Sequence, residues 1–332
     1  MMKKTKLINC IDSHTAGEPT RLVISGLPII KGRNIKEKTD YFSKKLDNYR
    51  SILTGEPRGH APMHAAIYIP SKSPEYDFGL ILMSALGYLD MCGHALIGSV
   101  TSLLSNNIFM LKKSNQLIKI STCSGIISVK GNLKKNHIES ITFTNQESFA
   151  IENEYKISVP NYGNISVNIA YGGLWYILVD SKNINTKIKK ENLNKLIAAG
   201  KIIRDIVNSN LSKIKSKVKL PKKIPQTLFY EEINKQTGKN FVTSDELGFD
   251  RSPCGTGCCA RLALMYYKGK IKKNNYYTQK SILNTSFKTK IVETSNNGRI
   301  IPEITGSAYV TSFNNIFVDP KDSIKNGFFL FS

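Results

Sequence analysis

The sequence predicts an α+β protein in two halves. Three observations carry that expectation. Many short apolar runs broken by Gly, Pro, Asn and Asp read as strands. Few stretches carry helical periodicity. Two Cys-Gly pairs, Cys92-Gly93 and Cys254-Gly255, each open an apolar helix, and they lie close to half of the 332-residue chain apart. Two such helix starts suggest a duplicated unit with one reactive thiol per copy.

The elements follow in order. Leu7–Asp12 reads as a strand, Ser13–Thr20 as a polar turn and Arg21–Ile24 as a second strand. Residues 34–53 are charged and periodic, which predicts one helix. Thr54–His64 is a loop dense in Gly, Pro and His that leads into a buried strand, Ala65–Ile69. Asp77–Leu82 is a strand before the first Cys-Gly helix. Ile118–Lys130 and His137–Asn145 read as strands, with Gly125 and Gly131 at turns. Ile151–Ile157, Ile165–Ile169 and the Gly-broken Tyr171–Asp180 open the second half. Asn192–Asn208 is a helix with Leu196, Ile197, Ile202, Ile203 and Ile206 apolar. Strands are expected from Phe241, over Ser281–Val292 and Arg299–Val310, and as a last apolar strand over Gly327–Leu330.

Composition narrows the class. A chain of 332 residues buries a full core, and 41% hydrophobic with 22% charged residues is ordinary for a globular protein. No apolar run reaches about 18 residues, so no membrane helix is expected. The opening Met1–Cys10 lacks a hydrophobic core of signal-peptide length, and the expected compartment is the cytoplasm. Six Cys in so long a chain are not a disulfide framework. The net charge of +22 raises nucleic-acid binding, but only eight of the 47 basic residues are Arg. The Lys are scattered. The clearest local cluster, Lys213 to Lys223, alternates with Ile214, Val218 and Leu220 and reads as a solvated strand or loop rather than a phosphate-binding patch.

The chemistry concentrates at the two Cys-Gly pairs. In Asp250-Arg-Ser-Pro-Cys-Gly-Thr-Gly257, Asp and Ser are capping residues, Pro stops the preceding segment and the glycines permit close approach. Ala260–Tyr267 continues as a helix ended by Gly269. Cys254 then sits at a helix N-terminus, where unpaired N–H groups and the positive dipole end stabilise a thiolate and can hold an anion. The bland alternative is a structural Cys in a tight turn. Asp90-Met-Cys92-Gly-His94 and the apolar run to Leu104 repeat the pattern. Cys254, Cys258 and Cys259 lack Cys-x2-Cys spacing, and Cys92-Gly-His94 is no metal signature, so no metal is expected. No redox Cys-x-x-Cys is present, and a Cys-His hydrolase would leave the second Cys unexplained. Two matched thiols suit a racemase, in which one accepts a proton from one face of a carbon and the other returns a proton to the opposite face.

Met91-Cys-Gly-His94 and Asp250–Gly257 resemble the proline racemase family. So do Asp12-Ser-His-Thr-Ala-Gly-Glu-Pro19, Glu56-Pro-Arg-Gly-His60, Tyr171-Gly-Gly173 and Ile301-Pro-Glu-Ile-Thr-Gly306. The resemblance implies a diaminopimelate-epimerase-like fold of two pseudo-symmetric halves with the site between them. Each half is expected to wrap a mostly antiparallel sheet around a central helix. The expected halves are residues 1–148 with Cys92, completed by residues 308–332, and residues 149–307 with Cys254. The resemblance also implies that Cys92 and Cys254 are the acid/base thiols and that Gly93, His94, Gly255 and Thr256 cradle the carboxylate. His94 and Asp250 would face the ring nitrogen. Proline racemases tend to carry aromatic residues where this chain has His64 and Ser244. His and Ser can bond a ring hydroxyl, which leans towards hydroxyproline. The family's Tyr-Gly-Gly-Asn is Tyr171-Gly-Gly-Leu174 here, and Cys258-Cys259 replaces small polar residues, a change that reads as packing.

The expected function is therefore a cofactor-independent racemase or epimerase at C2 of 4-hydroxyproline or proline. The expected partners are a small imino acid and a second copy in a homodimer, with no nucleic acid or membrane. The alternative is a trans-3-hydroxy-L-proline dehydratase, whose family members known to match this pattern carry Thr or Ser at one Cys position. A remote alternative is a basic nucleic-acid-binding protein on an enzyme-like fold.

Overall fold

The computed structural model of the chain describes residues 6–111, 116–135, 137–244 and 248–330. Met1–Thr5, part of the stretch read for a leader, lies outside the described residues, as do the last two residues of the expected 308–332 segment. In chain order the elements are β1 (Lys6–Thr15), β2 (Glu18–Ser25), α1 (Ile35–Lys45), α2 (Asp47–Thr54), β3 (His64–Pro70), β4 (Phe78–Ser84), β5 (Gly87–Leu89) and α3 (Gly93–Ser105). Then come β6 (Leu117–Thr122), β7 (Gly125–Lys134), β8 (His137–Thr144), β9 (Phe149–Ala150), β10 (Tyr155–Val159), β11 (Gly163–Tyr171) and β12 (Trp175–Asp180). The chain continues as α4 (Leu193–Ser209), β13 (Gln226–Asn234), β14 (Thr237–Ser244), α5 (Gly255–Tyr267), β15 (Tyr276–Lys280), β16 (Ser286–Thr294), β17 (Ile300–Gly306) and β18 (Ala308–Val318). The protein is thus mixed, rich in strands and poor in helices. No helix among the described residues is long and apolar enough to cross a membrane.

Two compact units form. The first runs to Phe143 and takes in the closing stretch from Gly306; the second is Thr144–Thr305. In the first unit β1 pairs antiparallel with both β2 and β18, and β2 continues into parallel β3 and then antiparallel β4. Ile8, Val23, Ile67, Ile81 and Met83 meet Phe42, Tyr49 and Ile52 of α1 and α2. Helix α3 packs against β1, β2, β3 and β18 and is buried at every residue from Gly93 to Leu104. The approach is close. A Cβ on Gly98 would meet the hydroxyls of Ser13, Thr15 and Thr20 at 2.9, 3.1 and 3.2 Å.

The second unit shows why its strands read as continuous apolar runs. Antiparallel β11–β12, parallel β12–β13 and antiparallel β13–β14 form a sheet with helices on two sides. Side chains alternate between the faces. Ile169, Ile177, Val179, Phe229 and Phe241 pack with Leu196, Ile203 and Val207 of α4. Ala170, Tyr176, Leu178, Leu228 and Val242 pack with Cys254 and with Ala260 and Leu264 of α5. The alternation thus delivers Tyr176 to the start of α5. Helix α5 closes where Gly269 adopts φ 67, and its N–H donates to the Tyr266 carbonyl.

Several expectations are corrected. The Ser13–Thr20 turn shrinks to Ala16-Gly17, both at positive φ, because His14 and Thr15 pair with Pro19 and Glu18 across a tight hairpin. The single helix over 34–53 is two, broken at Leu46, whose φ of −133° leaves the helical region. Ile118–Lys130 does turn beside Gly125, which closes the β6–β7 hairpin opposite Thr122, but Gly131 lies inside β7 rather than at a turn. Ser281–Asn284 is a turn, with the Asn284 N–H donating to the Ser281 carbonyl, so β16 begins only at Ser286. Gly327–Leu330 is not a strand. Phe328 makes one isolated antiparallel bridge, in which its backbone and that of Glu56 exchange both hydrogen bonds, and no ladder continues from it.

The Tyr171-Gly172-Gly173 turn is held against the first turn of α5. A Cβ on Gly172 would lie 2.2 Å from the Thr256 carbonyl oxygen and 2.4 Å from the Ala260 nitrogen. Both contacts are backbone and cannot swing away. Gly172→Ala is therefore expected to destabilise the protein by about 2 kcal/mol or more, read as a lowered midpoint in urea unfolding; an unchanged midpoint would show that the turn tolerates displacement from α5.

Candidate active site

Cys92 is the N-cap of α3. Its backbone is extended, and its carbonyl accepts the first helical bond from the Leu96 N–H at 2.9 Å. Gly93 is the first helical residue. His94 folds back so that its Nδ1 and Nε2 lie 3.4 and 3.7 Å from the Cys92 sulfur. Thr15 donates to the His94 carbonyl at 2.8 Å and fixes this turn to β1. His64, the first residue of β3, meets the His94 ring edge to face, with centroids 4.3 Å apart and planes at 87°. Its Nδ1 lies 3.0 Å from the Pro62 carbonyl oxygen. A carbonyl only accepts, so Nδ1 carries the proton and Nε2 keeps its lone pair in the neutral ring.

Burial keeps both rings neutral. It takes His94 well below the ordinary imidazole range, and proximity to His64 adds to the effect. For part-buried His64, burial lowers the pKa to about 4 against the opposing pull of the Pro62 carbonyl. The loop before β3 is anchored by Arg21. Its guanidinium grips Asp12 through two bonds, of 2.9 and 2.8 Å, and donates to the carbonyls of Leu53 and Arg58.

Cys254 is the N-cap of α5, in a left-handed backbone conformation with φ 65. A ladder of local bonds imposes it. The Asp250 N–H donates to the Val242 carbonyl, Asp250 Oδ1 accepts from the Ser252 N–H at 2.8 Å, and Ser252 Oγ accepts from the Cys254 N–H at 3.0 Å. The Cys254 carbonyl accepts from the Cys258 N–H at 2.7 Å. Gly255 opens the helix and Thr256 follows, with its hydroxyl 2.6 Å from the Tyr176 hydroxyl and 3.9 Å from the Cys254 sulfur. Tyr176 also reaches that sulfur at 3.3 Å. Gly257 leaves room for it, since a Cβ there would stand 3.2 Å from Sγ.

At Cys254 burial outweighs hydrogen bonding. Desolvation pushes the thiol well above its ordinary range and the Asp250 charge pushes it further; Tyr176, the Gly257 N–H and Thr256 pull the other way. The group rests as a thiol. Tyr176 is likewise raised well above the phenolic range, first by burial. Cys258 and Cys259 face inward. The Cys258 thiol donates to the Pro253 carbonyl at 3.3 Å, and the Cys259 sulfur accepts from Asn145, which also holds the Gly172 carbonyl. Burial raises Cys259 to about 12 and takes Cys258 well above the ordinary thiol range. None of the six cysteines is in a disulfide.

The fold therefore gathers the sequence-derived residues into two groups. His64, Cys92, Gly93 and His94 cluster in the first unit; Asp250, Cys254, Gly255 and Thr256 cluster in the second, and each group lies within one compact unit. Ser244 ends β14 opposite Gln226, with its N–H bonded to the Gly248 carbonyl, and residues 245–247 are outside the described residues. Tyr176 went unassigned in the sequence. The signal was present as a phenol in the otherwise aliphatic run Ile177-Leu178-Val179, where a buried hydroxyl needs a polar counterpart. Spacing alone also missed that His64, Cys92 and His94 offer ligand atoms that all lie within 4.8 Å of one another.

Comparison with known proteins places this geometry in context. The family profile for proline racemase matches residues 10–329. A proline racemase from Acetoanaerobium sticklandii is 36% identical over 98% of this chain and 99% of its own. A trans-3-hydroxy-L-proline dehydratase from Bacillus thuringiensis is 32% identical over 99% of this chain and 100% of its own. The crystal structure of a hydroxyproline epimerase from Agrobacterium vitis, with bound trans-4-hydroxy-L-proline, superimposes with a TM-score of 0.84 at 25% identity, covering 99% of this chain and 97% of that one.

Two measurements test the electrostatics. His64 and His94 are neutral when folded and protonate readily when unfolded, near the ordinary value of about 6.5. The unfolded chain therefore binds more protons below that pH. The stability that these rings confer is complete above about 6.5 and lost as pH falls towards about 4, the folded value of His64. The thermal midpoint should fall over that window, and His64→Phe should shrink the fall; an identical pH dependence in the variant would remove His64 as a contributor. Tyr176→Phe removes a bond that eases ionisation of Cys254. The pH midpoint of Cys254 alkylation, followed by mass spectrometry of the individual cysteines, should move upward.

Proposed function

The chain belongs to the proline racemase family, and on that premise we propose that it is a cofactor-independent isomerase inverting C2 of 4-hydroxyproline or proline. The observation that carries the reading is the paired helix start. Cys92 and Cys254 are each the N-cap of a buried helix, followed by Gly and a polar residue. Unpaired N–H groups of Gly93, His94, Gly255 and Thr256 suit a carboxylate. A held carboxylate can take up the negative charge that develops when C2 loses its proton.

In this reading one cysteine, as thiolate, takes the C2 proton while the other, as thiol, gives a proton to the opposite face of the carbon. The proton count is unchanged overall and the roles reverse for the other enantiomer. The resting thiol at Cys254 supplies the protonated member. Asp250 and His94 are assigned to the ring nitrogen. His64 and Ser244 are assigned to the ring hydroxyl; the lone pair on His64 Nε2 supports the hydroxyproline substrate, as does the relative that binds trans-4-hydroxy-L-proline. The second reading, a trans-3-hydroxy-L-proline dehydratase, shares the proton abstraction but then expels water. The Bacillus thuringiensis relative favours it, and the presence of both thiols favours isomerisation.

Incubation with L-proline, trans-4-hydroxy-L-proline and trans-3-hydroxy-L-proline, followed by chiral chromatography, decides between them. The expected result is inversion at C2 of one of the first two, reduced by at least about a hundredfold in Cys92→Ser and in Cys254→Ser. A cyclic imine formed from the third substrate would instead establish the dehydratase, and undiminished turnover in both variants would remove the two-thiol mechanism.

A further inference from the structure

Three side chains in the first unit suggest a chemistry outside proton transfer. His64, Cys92 and His94 come from two elements, the start of β3 and the start of α3, and present their ligand atoms within 4.8 Å of one another. Zinc bound by thiolate and imidazole at its usual bond lengths places sulfur and nitrogen about 3.5 Å apart in a tetrahedral shell. The Cys92 sulfur stands 3.4 Å from His94 Nδ1, the one nitrogen of that ring counted as a donor. The Pro62 carbonyl takes up His64 Nδ1, which leaves Nε2 as the nitrogen with a lone pair for a third donor. A metal-ligating imidazole ordinarily donates its other N–H to a carbonyl or carboxylate, which fixes its orientation and raises its basicity. His64 Nδ1 has that contact with Pro62, and Thr15 pins the backbone of His94. Three protein donors leave a fourth position open. One thiolate and two imidazoles suit a borderline or soft divalent cation such as zinc rather than calcium or magnesium.

We propose that His64, Cys92 and His94 form a binding site for a zinc-type divalent cation. On coordination the Cys92 thiol releases its proton to solvent, and the sulfur lone pair that it would offer to a substrate goes to the metal. Affinity therefore rises with pH. Given the isomerase reading, the metal blocks Cys92 as an acid/base group, and zinc acts as a reversible inhibitor that a chelator removes.

The test titrates the full-length protein with Co²⁺, whose thiolate complexes show a near-ultraviolet charge-transfer band, and chases with Zn²⁺. The expected result is a band that saturates at one equivalent, persists in Cys254→Ser, disappears in Cys92→Ser and needs about 100-fold more metal in His64→Phe. His64→Phe keeps an aromatic edge against His94, and His64→Asn is the second variant should that ring fail to pack. A band unchanged in Cys92→Ser and in both His64 variants, or no band in the wild type, overturns the proposal. Isomerase assays with and without zinc separate it from the function on which its inhibitory part rests. A Cys92-dependent band in a protein that turns over no imino acid upholds the metal site and defeats the isomerase reading. Turnover insensitive to zinc, with no band, does the reverse.

Discussion

A helix buried along its length has one natural place to meet a polar ligand, its first turn, where N–H groups lack helical acceptors. That constraint organises each unit. Helix α3 is buried from Gly93 to Leu104, and α5 is buried over most of its residues. Apolar packing holds each helix and leaves its N-terminus as the chemically distinctive end. Both N-caps are cysteine. Small residues make the packing possible. Gly98 lets α3 sit on the hydroxyls of β1 and β2, and Gly172 lets the β11–β12 hairpin touch the backbone of α5.

Around Cys254, desolvation competes with local hydrogen bonding. At Cys254 the competition is lost by three donors together, the Tyr176 hydroxyl, the Thr256 hydroxyl and the Gly257 N–H, and the Asp250 charge deepens the outcome. Those donors do not go to waste in the proposed reaction. They lower the cost of the thiolate that forms once the proton has been given up, so the same environment serves both protonation states. In the first unit the imidazoles of His64 and His94 are neutral. Neutral rings offer lone pairs, and lone pairs serve either a substrate hydroxyl or a metal.

Much of this was legible in the residues. Capping residues, Pro and Gly around Asp250–Gly257 announced a helix start, and apolar periodicity announced α4 and the buried strands. What escaped notice shares a physical cause. The meeting of His64 with His94 depends on β3 ending its loop beside α3, a long-range fact that no local spacing encodes. The Gly327–Leu330 run is apolar enough for a strand, yet it finds only a single bridge, to Glu56, which lies far away in sequence. The break at Leu46 splits a periodic stretch because the α2 side chains Tyr49 and Ile52 must aim at the same core as Phe42 of α1. The Ser13–Thr20 stretch reads as polar, but its hydroxyls are buried against α3, where polarity marks a seam rather than a surface.

The two-faced sheet of the second unit has an evolutionary consequence. Tyr176 and Ile177 are neighbours in sequence but belong to different layers, one beneath Cys254 and one against α4. Adding or deleting a single residue in the short connection between Tyr171 and Trp175 would exchange the layers. An aliphatic side chain would then lie under the thiol and a phenol in the aliphatic core. Length variation among descendants of this chain should therefore be excluded from that connection and tolerated in the Lys-rich loop after Lys213, which serves no comparable register.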